Sequence, residues 1–113
     1  MKKKELSPFE RDTIKRIEED SEFSDVFFEE LLERPLSVQL SMLRKLSGIS
    51  QVQLANRARL KQSFLSKLEK EDSDHLISVY EKVAKILQCR LALIPEGSKV
   101  IPPKVQLSLR RAA

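Results

Sequence analysis

The chain has 113 residues, a net charge of +4, one cysteine, one histidine and two glycines. A single cysteine excludes an internal disulfide framework and fits a reducing cytoplasm, and with one histidine it leaves no ordinary zinc ligand set. Two glycines leave no glycine-rich phosphate loop, no apolar run approaches the ~20 residues of a membrane span, and the start MKKKEL is no signal sequence, so a cytoplasmic, cofactor-free, non-enzymatic single domain with extensions is expected.

Ser7-Pro8-Phe9-Glu10 offers an N-cap, a proline at the first helical position and a Glu three residues after the cap. A first helix is predicted to run to about Glu19, with Ile14 and Ile17 on one side. Asp20-Ser21 breaks it, and a second helix is expected over 24–34. Phe23, Phe27 and Leu31, with Phe28 and Leu32, recur there at helical spacing, and Pro35 ends the run. Ser37 is expected to cap a third helix with a Leu40, Leu43, Leu46 stripe, which Gly48 terminates. Ser50 caps a short fourth helix over Gln51–Ala58, and a fifth covers about 62–70. Asp74 is expected to cap a sixth, in which Leu76, Val79, Tyr80, Val83, Ala84 and Leu87 make one wide apolar face.

Residues 89–94 are too short and too apolar for another helix before Pro95 and read as a strand. Beyond Pro102-Pro103, residues 105–110 alternate strictly, as a second strand does or a segment that orders on a partner. The division expected is an acidic helical extension over 1–35, a compact unit over 36–95 and a tail over 96–113. A lone strand leaves its backbone groups open. Pairing with the same strand of a second copy about a two-fold axis satisfies them; so does a hairpin with 105–110.

Charge is segregated along the chain. Residues 18–33 hold eight acids and no Lys or Arg, whereas 34–70 hold eight bases and one acid, Glu69. A block of this kind suits a polyanion, because a carboxylate there repels phosphate at close range. The fourth and fifth helices are separated by only Arg59-Leu60-Lys61. Leu54, Ala55 and Ala58 face inward from one, and Leu65 and Leu68 from the other. The alanines let two helices cross closely and Leu60 plugs the corner, which is the anatomy of a helix-turn-helix. The competing reading is a solvated basic face on a helical bundle.

Leu43, Arg44, Gly48, Ile49, Ser50, Gln51, Leu54, Ala55, Leu60, Leu65, Leu68 and Glu69 together resemble the phage Cro/repressor-type (XRE) helix-turn-helix family, over about residues 38–88. The fold expected is all-α: a repressor-like bundle of five to six helices, with a C-terminal strand pairing across a dimer. The resemblance implies that the fifth helix lies in the DNA major groove, with Gln62, Ser63, Ser66 and Lys67 reading base edges. Gln62 suits adenine, Lys67 guanine, and the serines either. Gln51, Arg57, Arg59 and Lys61 are the expected phosphate contacts. In this family the position of Glu69 pairs with an arginine matching Arg44, so that pair is expected to be structural. The family usually has glycine at the turn where this chain has Arg59. Arg59 must then be left-handed or the turn reshaped, at a cost of about 1 kcal/mol.

Phe64 is expected beside the reading face, either touching a thymine methyl or packing on the neighbouring helix. His75 reads as a capping or surface residue, and Cys89 as a small buried apolar one. The stretch RIEEDSEFSDVFFEELL is similar to the segment before the helix-turn-helix in many type II antitoxins, which neutralise a basic ribonuclease toxin and repress their own operon; the closing strand is similar to persistence-type antitoxins. Phe23, Phe27 and Phe28 either cover the helical core or, on an acidic arm, meet a basic protein partner; with the resemblance, that partner is a basic toxin and the chain a homodimer on a palindromic operator. The alternatives are a protein-interaction module on a helix-turn-helix scaffold that no longer reads DNA, and a nuclease, supported only by the acids at 18–33.

Overall fold

A computed structural model describes residues 7–70 and 74–97. They form six helices: α1 Pro8–Glu19, α2 Ser21–Leu32, α3 Leu36–Leu46, α4 Gln51–Ala58, α5 Gln62–Leu68 and α6 Ile77–Ile86. None of them is long and apolar enough to cross a membrane.

The apolar residues sort into two clusters. One gathers Leu40, Ile49, Leu54, Ala55, Ala58, Leu65, Leu68, Tyr80, Val83, Ala84 and Leu87 from α3 to α6. The other joins Ile14 and Ile17 of α1 to Phe28 and Leu31 of α2 and Leu46 of α3. Leu43 packs against both. The acidic front end is therefore not a free arm: α1 and α2 lie on α3, which also supports α4 and α5.

Asp20 explains the junction of the first two helices. Its N–H donates to the Arg16 carbonyl at 2.8 Å, ending α1, while its side chain accepts the Phe23 N–H at 3.1 Å, starting α2. One residue closes one helix and caps the next, so α2 begins at Ser21 rather than at the expected residue 24. At the start of α1, Ser7 accepts the Glu10 N–H at 3.1 Å.

Ser37 does not cap α3. The first bond of that helix runs from Gln39 N–H to the Pro35 carbonyl, which puts Pro35 at the cap position and Ser37 inside the helix. Ser37 is buried, and its hydroxyl has no hydrogen-bond partner among the described residues. Gly48 (φ 73°) ends the helix. Its N–H donates to Lys45 at 3.0 Å and the Ile49 N–H to Arg44 at 3.2 Å, the paired bonds of a Schellman turn.

Asp74 likewise does not cap α6; the cap position is Leu76, which makes no side-chain cap bond. Leu76 is 74% exposed and so stands outside the apolar face assigned to it. The far end of α6 closes through Gln88 at φ 59°, whose N–H donates to Lys85, with Cys89 N–H reaching Ala84 at 2.8 Å. Residues 89–94, expected as a strand, form neither helix nor strand among the described residues. Leu91 packs on the core while Leu93 is fully exposed. The alternative hairpin partner, 105–110, lies outside the described residues.

Candidate nucleic-acid interface

The α4–turn–α5 unit is built from its caps inward. Ser50 accepts the Gln53 N–H at 3.1 Å and Gln53 Oε1 accepts the Ser50 N–H at 3.0 Å, a complete capping box. Ala55 and Ala58 are buried where the helices cross, and Leu65 and Leu68 of α5 are fully enclosed. Between them Arg59 takes the left-handed conformation (φ 57°, ψ 42°). There the Arg59 N–H donates to Asn56 and the Leu60 N–H to Ala55 at 2.9 Å, giving the same paired closure as at Gly48. Leu60 then turns onto the core. A side chain with a Cβ is strained in this region of backbone space; this turn keeps its geometry and adds a cation at its corner.

With the inner face of α5 taken by Leu65 and Leu68, its outer face carries Gln62, Ser63 and Lys67, all exposed, and Ser66, half-buried. Arg57 on α4, Arg59 in the turn and Lys61 just before α5 are exposed too. The α5 face offers amide, hydroxyl and ammonium donors.

Arg44 and Glu69 lie beneath. Arg44 Nε donates to Glu69 Oε2 at 2.7 Å and Nη2 to Oε1 at 3.0 Å, while Nη1 donates to the Ile49 carbonyl at 2.9 Å. Both side chains are about 5% exposed or less. The pair bridges α3 to the end of α5, and the guanidinium is spent internally. Gln51 is half-buried, and its amide donates to Glu69 Oε1 at 3.1 Å. Sequence reasoning assigned Gln51 wholly to phosphate; part of its donor capacity goes to the buried carboxylate.

Phe64 is half-buried and meets His75 edge-on, with ring centroids 5.1 Å apart; His75 meets Tyr80 at 6.1 Å. This ladder ties α5 to α6. Of the two places expected for Phe64, this is packing toward the neighbouring helix, and His75 joins it there rather than serving as a cap or surface residue.

The aromatics of α2 cover the second cluster: Phe28 is buried, and Phe23 and Phe27 pack on it half-buried. Phe27 meets Phe23 at a tilt, with ring centroids 6.1 Å apart, and Phe28 edge-on at 5.3 Å, and the Arg16 guanidinium covers the Phe23 ring at 4.0 Å. Three aromatics at helical spacing on the shortest route to a core are drawn into it by the area they bury. What α2 exposes instead is Glu22, Asp25, Glu29 and Glu30, with Val26 among them.

Two short helices meet here at a sharp turn, and residues 40–94 match the protein-family model described as helix-turn-helix. The match supports the XRE type, DNA binding and a part in transcription regulation. No curated protein and no solved structure matches the chain. The match starts at Leu40, within α3, so α1 and α2 lie before it. Among the described residues, no group of His, Cys, Asp and Glu is placed to hold a metal ion.

Proposed function

We propose that this chain is a sequence-specific DNA-binding repressor that works as a homodimer on a palindromic operator. The observation that carries the reading is the outer face of α5, where Gln62, Ser63 and Lys67 are exposed and Ser66 half-buried, next in the chain to the exposed cations Arg57, Arg59 and Lys61. In this reading α5 enters the major groove, its polar side chains meet base edges, and the cations and the Gln51 amide hold the backbone. Residues 89–94 pair with their counterparts in a second copy, which sets two reading helices about 34 Å apart.

In the same reading the chain is the antitoxin of a type II pair and represses its own operon. The support is the acidic outer surface of α2, which suits a basic toxin; the contact is then through Glu22, Asp25, Val26 and Glu29, with Phe23, Phe27 and Phe28 bracing them from below.

A titration of full-length protein against a randomised duplex library tests the DNA reading. Enrichment of a palindrome is expected, with affinity falling about 10³–10⁵-fold between 50 and 200 mM salt if roughly 6–10 phosphates are neutralised. Absent or salt-insensitive binding returns the chain to a protein-interaction module. Co-purification with a basic protein, abolished by Glu22→Lys with Glu29→Lys while operator binding survives, tests the antitoxin arm.

A further inference from the structure

A groove of about 720 Å³ opens between the α2–α3 junction, α6 and residues 90–94, and no residue of α4 or α5 lines it. Leu32, Leu36, Ile77, Leu91 and Leu93 supply most of its apolar lining. Leu93 is fully exposed and Ile77 60% exposed, so this surface presents large apolar side chains to water. An uncovered apolar patch of this kind marks a contact with another molecule. The charged residues of the lining, Glu81 and Arg90, are exposed and of opposite sign. They border one groove, yet neither makes an ion pair among the described residues.

We propose that this groove is covered by the same face of a second copy, with Leu93 of each chain seated in the other's groove and Glu81 of each paired with Arg90 of the other. This rests on the homodimer of the reading above and names the surfaces that meet in it. Across a two-fold axis, residue i of one subunit meets j of the other and j meets i. Such a face must be complementary to itself, with an apolar projection beside an apolar recess and each charge beside its opposite. Leu93, the groove, Glu81 and Arg90 meet those terms, and the two charges are left unpaired within one chain. A foreign segment has to bring a knob, a cation and an anion at matching spacing; a second copy carries all three by construction. Because the two charges cancel, a strongly acidic or basic partner gains nothing here. Burial of apolar area holds the contact, and the ion pairs fix its register. Residues 90–94 form one wall of the groove, so the contact also brings these segments of the two copies together.

Charge reversal in the full-length chain, read by sedimentation equilibrium, tests this. Glu81→Arg alone sets two cations together at each contact, and Arg90→Glu alone sets two anions together. Each is expected to weaken self-association roughly tenfold or more. An equimolar mixture of the two variants restores both pairs and is expected to associate as tightly as the unaltered chain. Leu93→Asp is expected to be monomeric at concentrations where the unaltered chain is a dimer. All three positions are exposed, so the fold is retained, which circular dichroism checks. A mixture no tighter than either charge variant alone overturns the proposal, because the pairs are then not made between copies. A dimer that all three variants leave unchanged overturns it too, and leaves a homodimer formed through another surface. A chain monomeric throughout overturns it together with the homodimer, while DNA reading is measured separately by the library titration.

Discussion

Single residues of the α4–turn–α5 unit are told apart by exposure and backbone strain. Gln62 is exposed on α5, and in the proposed reading Gln62→Ala is expected to cost about 1–3 kcal/mol at one base pair per half-site and to relax specificity there. Arg57→Ala is expected to weaken all sequences alike and to reduce the salt slope by about 1. Selection from a randomised operator library checks both, and uniform effects from both would sink the assigned face. Arg59 and Gln88 share a left-handed conformation that disfavours residues with a Cβ by about 1 kcal/mol. Gln88→Gly is expected to raise stability by roughly 0.5–1 kcal/mol, measured by denaturant midpoint. Arg59→Gly is expected to do the same while weakening operator binding, because there the strained residue is also a cation at the interface. Ser37 has a buried hydroxyl without a partner among the described residues. Ser37→Ala removes that desolvated group and is expected to stabilise by about 1 kcal/mol in the same assay.

At the level of elements, what could be read from the chain followed from how local each signal was. The bounds of α4 are set by Ser50 and its own third residue, Gln53, and both lie within five positions; α4 was legible to the residue. The left-handed Arg59 was likewise readable, because a resemblance defined the turn it had to complete. Asp20 misled because an Asp-Ser pair normally separates helices, and only the three-dimensional path shows it serving two at once. Ser37 misled because it stood where a cap is usual, two residues after a proline that took the place. A groove lined by residues of α2, α3, α6 and the segment beyond was not legible at all. The exposed face of α5 was legible as the complement of a two-leucine stripe. The Gln51–Glu69 bond was not, because it joins residues 18 apart in sequence.

The Arg44–Glu69 pair belongs to this scale, since it fastens α3 to the end of α5. Removing one partner leaves a buried charge, so Glu69→Gln is expected to cost about 3–5 kcal/mol in denaturant unfolding. Replacing both, as Arg44→Met with Glu69→Leu, is expected to recover much of that loss, because an apolar pair of similar size needs no compensation. A double variant no more stable than the single one would show that the bridge does more than neutralise its own members.

Among the described residues the exposed charges separate by element: acids on the outside of α2, cations on α4, the turn and α5. In the proposed reading the acidic side repels duplex at long range and the cationic side attracts it, so approach is oriented before contact.

Leu43 belongs to neither cluster alone. A side chain shared in this way couples the acidic front end to the α3–α6 unit, because loosening either one strips cover from the same methyl groups. The first two helices are thus part of what steadies the short rod of α5 through α3, and excising them would leave that rod standing on half a foundation.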